Sequence, residues 1–404
     1  MVEAQAAWGR AGQVEDAPVV VYVQQLLEQA VEAQASDLHF EPYEQMYRVR
    51  MRIDGQLREV AQAPLAFREL LAARIKVMAR LDVAEKRLPQ DGRIKLPLSD
   101  GRHLDLRVST LPTLFGEKVV VRVLDARQNQ LHLAGLGYEA ADLARLQEAI
   151  HRPHGMVLVT GPTGSGKTQS LYACLQQLNT SEVNIATVED PCEIQMPGIN
   201  QVNVQDKPGL GFAVALRAFL RQDPDILMVG EIRDLETAQI AVQAAQTGHL
   251  VLSTLHTNDA PSTLVRLRNM GVATYNIAAS VSLITAQRLV RQLCVACRQP
   301  QTVPASVLHD AGWPHAIDES TCTVYAPVGC NACHRGFRGR TGIFQVMPVS
   351  TAMQALILQD ASGLALAQQA QREGLRSLRE IGLRKVLSGV TSLDEVLAAT
   401  RSDA

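Results

Sequence analysis

The sequence predicts an α/β protein in which a small α+β domain precedes a larger domain built on a parallel sheet. The larger domain is indicated by short aliphatic runs that alternate with helical patterns from Tyr138 onward, as in buried parallel strands. One of these runs leads into a glycine-rich loop and then into a helix. The smaller domain is indicated by an amphipathic helix and a hairpin pattern ahead of Tyr138. A chain of 404 residues is long enough for two or three hydrophobic cores.

Composition places the chain among globular proteins, since 47% of its residues are apolar and 20% are charged. Its 39 lysines and arginines nearly balance its 41 aspartates and glutamates, so no overall field indicates a nucleic-acid or membrane partner. Residues 1–14 contain no apolar signal segment, and no run approaches the roughly 18 apolar residues of a membrane span. We therefore expect a soluble cytoplasmic protein that reaches a membrane only through partners.

The small domain is expected at 18–127, after a polar, flexible tail at 1–17 and before a linker at 128–136. Its predicted elements are a helix at 19–31, a strand at 36–42, a hairpin turning at Asp54-Gly55, a helix at 65–81, and strands at 104–108 and 118–124. The hairpin strand alternates apolar residues with three arginines between 48 and 52, which predicts one apolar and one basic face.

The larger domain is expected at 137–404. Its predicted parallel strands are the aliphatic runs at 156–160, 183–188, 226–229 and 250–252. A cysteine-bearing insert is expected at 294–334, and C-terminal helices at 348–404, the last of them capped by Gly389-Val390-Thr391-Ser392.

A phosphate-binding loop follows the first of these strands. Gly161-Pro162-Thr163-Gly164-Ser165-Gly166-Lys167-Thr168 reads G-x-x-x-x-G-K-[ST], in which glycines let backbone N–H groups turn toward the phosphates. Lys167 is expected to reach the β- and γ-phosphates, and the Thr168 hydroxyl to ligate Mg²⁺. A flexible glycine–serine turn is the alternative, but the preceding strand and the helical spacing after the loop match the required context. The sequence therefore predicts that the protein binds a nucleoside triphosphate.

Acidic residues follow two further aliphatic strands. The run Ile226-Leu227-Met228-Val229-Gly230-Glu231 has the Walker B pattern, whose acid lies beside Mg²⁺ and the attacking water. Glu189-Asp190-Pro191 comes at another strand end, where acids beside a phosphate site require a metal or a proton-transfer role. We expect Glu231 to align or deprotonate the water and to help hold Mg²⁺, with Glu189 sharing the task. The alternatives are a solvated carboxylate at the first position and a turn-forming Asp-Pro at the second.

Two histidines, His249 and His256, bracket the strand at 250–252. A neutral imidazole there would sense or polarise the γ-phosphate, and we assign His249 to the catalytic set. Hydrogen-bonded core histidines are the alternative, and for His256 the two interpretations are balanced.

Four of the seven cysteines form two C-x-x-C pairs, Cys294 with Cys297 and Cys330 with Cys333. Two such pairs supply the four thiolates of a closed, tetrahedral Zn²⁺ site, and we expect this structural site to fasten the insert at 294–334. Chance spacing is the alternative. The other three cysteines are expected to be core or surface thiols: Cys174, Cys192 and Cys322.

Taken together, these motifs resemble those of the secretion ATPases of type II secretion and type IV pilus systems, over residues 35–396. The matching segments are Ala35 to Pro42, Arg107 to Pro112, Gly116 to Lys118, the aspartate box Glu189-Asp190-Pro191, the Walker B segment Gly230 to Asp234, the histidine box Gly248 to Asn258, and the cysteine pairs with Gly336-x-x-Gly339-Arg340-x-Gly342. Because the retraction ATPases of this family lack the tetracysteine insert, the resemblance points to its assembly or export branch.

The resemblance implies a RecA-like P-loop ATPase domain behind a small PAS-like domain, in a ring-shaped homo-hexamer at the cytoplasmic face of the inner membrane. It implies ATP, Mg²⁺ and Zn²⁺ as ligands, with ATP held between two domains whose closure moves an inner-membrane platform protein. No nucleic-acid partner is expected. Many assembly-type members carry an additional N-terminal domain, which in some of them binds cyclic di-GMP. Because few residues precede the first helix of this sequence, we do not expect that domain here.

Two arginines of the small domain complete the expected site. Alternation along the strands at 104–108 and 118–124 turns Arg107 and Arg122 away from the apolar side. From composition alone they would be ordinary solvated arginines. The resemblance maps both onto arginines that reach the phosphates, where they would act as arginine fingers on the ATP bound by their own chain.

Three alternatives to an assembly ATPase are open at this point. A pilus retraction motor would share the same chemistry. A zinc-containing nucleic-acid motor or binding protein is disfavoured by the balanced charge and by an aromatic content of 4%, which leaves little for base stacking. A non-hydrolysing scaffold that only binds nucleotide would require a missing catalytic acid, and neither acid is missing. The sequence therefore favours ATP hydrolysis with a mechanical output.

Overall fold

The computed structural model describes residues 17–97, 103–124, 132–205, 207, 209–315 and 320–401. The chain divides into two compact units, Met1–Asn129 and Gln130–Ala404. Apart from Ala17, the tail expected at 1–17 lies outside the described residues, as do the first four residues of the linker expected at 128–136.

The first unit is an antiparallel sheet packed against two helices. Its elements are α1 Ala17–Glu32, β1 Asp37–Pro42, β2 Tyr47–Ile53, β3 Gln56–Ala63, a 3₁₀ turn Leu65–Phe67, α2 Arg68–Met78, β4 Gln90–Pro97, β5 His103–Thr113 and β6 Gly116–Leu124. The strands lie in the order β3-β2-β1-β6-β5-β4, and every neighbouring pair is antiparallel. The expected hairpin turns at Asp54 and Gly55, whose φ values of 51° and 83° suit a two-residue turn.

Alternation along the strands builds the core of this unit. In β5, Leu104, Leu106 and Val108 are buried with residues of α1 and α2, whereas Arg107 lies on the opposite face. Strand β4 was not predicted, because the Asp-Gly pair inside it is typical of a turn. Its Gly92 packs so closely on the end of α2 that a Cβ there would lie 2.8 Å from the carbonyl oxygen of Ala79.

The second unit contains a mainly parallel sheet with helices on both faces. Its elements are a 3₁₀ turn Leu133–Leu136, α3 Ala140–Ile150, β7 Gly155–Thr160, α4 Lys167–Leu178, β8 Ile185–Glu189, β9 Asn200–Asn203, α5 Phe212–Phe219, β10 Ile226–Val229, α6 Leu235–Gln246, β11 Leu250–Leu255, α7 Ala260–Asn269, α8 Thr274–Ser280, β12 Val281–Leu293, β13 Gln299–Pro304, α9 Ala305–Asp310, β14 Thr321–Ala326, β15 Phe337–Pro348, α10 Thr351–Leu358, α11 Gly363–Arg372, α12 Leu378–Leu387 and α13 Leu393–Ala399.

The main sheet has the strand order β15-β12-β7-β11-β10-β8-β9, and only the pairing of β15 with β12 is antiparallel. Strands β7, β8, β10 and β11 are short, aliphatic and buried at every position. In β7, Met156 and Leu158 pack into the core on one face of the sheet, and Val157 and Val159 into the core on the other. The predicted α/β fold with a parallel sheet is confirmed.

The insert expected at 294–334 contains the two-stranded sheet β13-β14 and helix α9. After β15 the chain is helical, and Ser392 caps α13 as expected, because its side chain accepts a hydrogen bond from the backbone N–H of Glu395. In the part of the chain that the structure describes, every helix is too short or too polar to cross a membrane.

Candidate active site and metal centre

The phosphate-binding loop joins β7 to α4. Gly161, Gly164 and Gly166 have φ values of 145°, 78° and 88°, which residues with a side chain rarely adopt. A Cβ at Gly161 would also lie 2.5 Å from the carbonyl oxygen of Gln287 on β12. The loop therefore needs its glycines both for backbone conformation and for close packing against β12.

Helix α4 begins at Lys167, so its N-terminus and its dipole favour an anion at the end of the loop. Lys167 Nζ donates hydrogen bonds to the carbonyl oxygens of Gly161 at 2.8 Å and Pro162 at 3.1 Å. Burial lowers the pKa of Lys167 to about 8, and the Glu231 carboxylate opposes this shift. Thr168 is exposed in the first turn of α4. The loop thus presents the donors, the ammonium and the hydroxyl that a triphosphate with a bound cation requires.

Parallel strands bring the other functional segments to the same edge of the sheet. Thr160 at the end of β7 pairs with Leu255 at the end of β11, and Val229 at the end of β10 pairs with Val188 of β8. The phosphate-binding loop, the second histidine, the Walker B acid and the aspartate box lie at or directly after these strand ends. This is the edge at which open α/β sheets bind their ligands.

Glu231 lies at the centre of a small cluster of charged groups. One of its oxygens accepts a hydrogen bond from the guanidinium of Arg233, which also lies 3.5 Å from Asp190. The other oxygen lies 3.6 Å from Nε2 of His256. Burial lowers the pKa of His256, and the charge of Lys167 lowers it further, which favours a neutral imidazole at neutral pH. The structure therefore brings together Glu231, Asp190, His256 and Lys167.

Glu189 ends β8 in a buried position, with only 4% of its surface exposed. Its carboxylate accepts hydrogen bonds from the Tyr172 hydroxyl, from the Thr187 hydroxyl at 2.7 Å and from the Gln201 amide at 3.3 Å. Both of its oxygens are therefore engaged with neighbouring side chains.

His249 lies at the opposite edge of the sheet, because it precedes β11 and follows the end of α6. Its Nδ1 is 3.0 Å from the carbonyl oxygen of Ala244. The six residues of β11, roughly 20 Å of strand, separate it from the edge that carries Glu231. The catalytic role expected for His249 therefore stays a prediction, and in this structure it is His256, not His249, that lies beside Glu231.

Arg107 and Arg122 lie opposite each other on β5 and β6 of the first unit. Arg122 Nε donates to Asp37 at 3.1 Å, while 55% of its side chain remains exposed. The strand register continues this row across the sheet, with Arg93 beside Arg107 and Arg52 on the far side of Asp37. One row on the polar face thus carries four arginines and one aspartate, a surface suited to an anion.

The two cysteine pairs meet in a cluster whose four sulfur atoms lie within 4.8 Å of one another. Cys294 and Cys330 are 3.9 Å apart between sulfurs, Cys297 and Cys333 are 3.6 Å apart, and Cys330 and Cys333 are 3.7 Å apart. A tetrahedral site with Zn–S bonds of about 2.3 Å has S···S edges of about 3.8 Å. The backbone N–H of Gly329 also donates to Cys297 Sγ at 3.3 Å. The donor set and its spacing therefore fit a tetrahedral metal ion.

Two supporting residues escaped sequence reasoning. Tyr172 contacts Glu189 across 17 positions and two elements, so no local pattern carries the contact. Gln287 is a buried amide in β12, a strand that also carries Ser282, Thr285, Arg288, Arg291 and Gln292, so its residue type gave no signal there.

A family model described as "Type II/IV secretion system protein" matches residues 12–398. The type IV pilus assembly ATPase PilB of Acinetobacter baylyi is 54% identical over 387 residues, which cover 96% of this chain and 67% of that protein. The type II secretion system protein E of Aeromonas hydrophila is 48% identical over 390 residues, covering 96% of this chain and 77% of that protein.

Among solved structures, the ATPase DotB of Legionella pneumophila matches with a TM-score of 0.69 over 94% of this chain and 95% of its own. The two sequences are 20% identical, so this likeness bears on the fold alone.

Proposed function

The chain belongs to the type II/IV secretion system protein family, and we propose that it is an ATPase that powers assembly of a type IV pilus or of the related filament of a type II secretion system. The proposal is carried by the meeting of the phosphate-binding loop, Glu231 and His256 at one edge of the parallel sheet. Relatives named as a pilus assembly ATPase and a type II secretion protein each match 96% of the chain.

The phosphate-binding loop and the start of α4 would bind ATP. Backbone N–H groups of the loop and the Lys167 ammonium would hold the β- and γ-phosphates, since both lie at the helix N-terminus. Thr168 and Glu231 would hold Mg²⁺, which supplies positive charge to the phosphates when bound.

Glu231 would align or deprotonate the attacking water. Its side chain keeps 20% of its surface exposed, while Arg233 donates a hydrogen bond to one of its oxygens and His256 lies 3.6 Å from the other. A fixed carboxylate of this kind typically contributes on the order of 10² to 10⁴ to the rate of proton transfer. Glu189 would share the task from its buried position by fixing the neighbouring strand end and α4 through Tyr172.

Arg107 and Arg122 would act as arginine fingers on the ATP of their own chain, neutralising charge as the γ-phosphoryl group leaves. The support is the row of arginines on the polar face of the small sheet, which offers several positive charges to one anionic ligand.

The cysteine cluster would hold one structural Zn²⁺ through Cys294, Cys297, Cys330 and Cys333, because its four sulfurs would fill the four positions of a tetrahedral ion. Such a site would fasten the end of β12 to the start of β15.

The working assembly would be a homo-hexamer at the cytoplasmic face of the inner membrane, acting on a platform protein of the secretion or pilus system. The names of two relatives, a type IV pilus assembly ATPase and a type II secretion system protein E, support a role in a pilus or secretion system.

Complementation of a strain that lacks the gene tests the proposal. We expect the wild-type chain to restore surface pili or secretion, and Lys167→Ala not to restore them, because it deletes the charge that compensates the phosphates. A deletion strain with more surface filaments than its parent would instead identify a retraction motor. DNA binding that falls steeply with salt would identify a nucleic-acid motor.

A further inference from the structure

Gln287 lies in β12, the strand that runs beside the phosphate-binding strand β7. Ala286 pairs with Thr160, the last residue of β7, so Gln287 comes level with the start of the loop. Only 1% of its surface is exposed. A buried amide requires hydrogen-bond partners, because a buried polar group left unsatisfied is destabilising.

Both ends of the amide bond to the phosphate-binding segment. Gln287 Nε2 donates to the carbonyl oxygen of Ser165 at 2.7 Å, and its Oε1 accepts from the Ser170 hydroxyl at 2.8 Å. Ser165 belongs to the loop and Ser170 to the first turns of α4, and both are buried. One side chain from a neighbouring strand therefore ties the loop to the helix that follows it.

Two glycines of the loop pack closely against this residue. A Cβ at Gly161 would lie 2.5 Å from the Gln287 carbonyl oxygen, and a Cβ at Gly166 would lie 3.2 Å from its Nε2. The loop backbone thus packs against Gln287 at both of these positions, and a side chain at either position would push the loop away from Gln287.

The bond to Ser165 also sets the direction of a donor in the loop. In a trans peptide, the carbonyl of Ser165 and the N–H of Gly166 belong to one plane and point in opposite directions. Holding that carbonyl toward β12 therefore turns the Gly166 N–H away from β12, toward the inside of the loop where phosphates bind.

We propose that Gln287 is a positioning residue for nucleotide binding, which acts through the Ser165 carbonyl and the Ser170 hydroxyl to keep the loop N–H groups directed at the phosphates. This inference rests on the proposed ATPase function and assigns Gln287 no contact with the nucleotide.

Gln345 supplies a matched control on the adjacent strand. It is also a buried glutamine, 6% exposed, and it pairs with Ala286 across the β12–β15 ladder. Its amide accepts from the N–H of Ala260 at 2.9 Å and donates to the carbonyl oxygen of Arg376 at 3.0 Å. It therefore bridges two segments as Gln287 does, but the segments are outside the phosphate-binding loop.

Gln287→Met and Gln345→Met keep the side-chain length and remove the amide in each case. We expect both to lower the melting temperature, but only Gln287→Met to weaken ADP binding, with a Kd increase of roughly tenfold. The ATPase KM should rise by a similar factor with a smaller change in kcat, since binding is lost in the ground and transition states alike. If Gln287→Met does not fold, Gln287→Asn and Gln345→Asn give the same comparison with shorter amides.

Equal ADP affinities for the two variants at equal loss of melting temperature would overturn the inference and leave Gln287 as an ordinary core amide. The same assay separates this failure from failure of the proposed function. A wild-type chain that binds ADP but does not hydrolyse ATP would refute the ATPase proposal while Gln287 is still judged by its ADP Kd. A wild-type chain that does not bind ADP would refute both.

Discussion

Tyr172 donates a hydrogen bond to the carboxylate of Glu189, and its hydroxyl oxygen accepts one from the backbone N–H of Glu193 at 3.1 Å. The contact joins α4, which begins at the phosphate-binding loop, to the end of β8, which carries the aspartate box. Two segments of the proposed ATP site are therefore held together by one buried phenol.

Tyr172→Phe should destabilise the protein, because it removes the hydroxyl that donates a hydrogen bond to a buried oxygen of Glu189. The expected loss is about 1–3 kcal/mol in the free energy of unfolding, measured in urea, with a fall in kcat. Tyr47→Phe is the matched control, since its buried hydroxyl finds no hydrogen-bond partner among the described residues. Equal stability changes in the two variants would show that the Tyr172–Glu189 bond contributes nothing.

Substitution of His256 and substitution of His249 should have different effects on catalysis. His256→Asn should lower kcat by roughly tenfold or more, because it removes the imidazole beside Glu231. His249→Asn should alter stability alone, since that residue lies at the other edge of the sheet. Steady-state ATPase rates for both variants check this, and a larger kcat loss for His249→Asn would refute the assignment of His256.

The metal site should contain one Zn²⁺ per chain, measured by elemental analysis of freshly purified, reduced protein. Cys297→Ser should lose the metal, and Cys322→Ser, outside the cluster, should keep it. Chelation should increase hydrogen exchange in residues 294–334 before ATP hydrolysis stops, because the proposed metal site stabilises the insert and takes no part in binding ATP. Freshly purified, reduced protein that contains no metal would contradict the proposed zinc site.

Arg107→Ala should reduce ATP turnover by on the order of 10³-fold if the arginine stabilises the leaving γ-phosphoryl group. Arg152→Ala, a surface arginine paired with Glu148, is the control and should change little. Mixing Arg107→Ala chains with Lys167→Ala chains tests which ATP the arginine serves. We expect no recovery, because each chain lacks one part of its own site, whereas recovered activity would place the arginine across a subunit boundary.

Sequence patterns predicted those features that depend on only a few neighbouring residues. The Asp54-Gly55 hairpin, the strand–loop–helix order around Lys167 and the paired cysteines each depend on a few neighbouring residues. The choice between His249 and His256 depended instead on which end of β11 faces the loop, and that follows from sheet order.

The contacts of Gln287 and Tyr172 were equally inaccessible to sequence reasoning. Gln287 reaches Ser165 across 122 positions, and the two meet only because β12 lies beside β7. Neither residue has a spacing pattern that would predict its partner.

Glu231→Gln tests the central claim most directly, because it keeps the side-chain size and removes the charge that would activate water. We expect the variant to bind ATP with near-normal affinity and to hydrolyse it slower by on the order of 10²-fold or more. Single-turnover hydrolysis, measured beside ATP binding on the same preparation, separates the two steps. Near-normal hydrolysis by Glu231→Gln would contradict the account and transfer the water-activating role to Glu189.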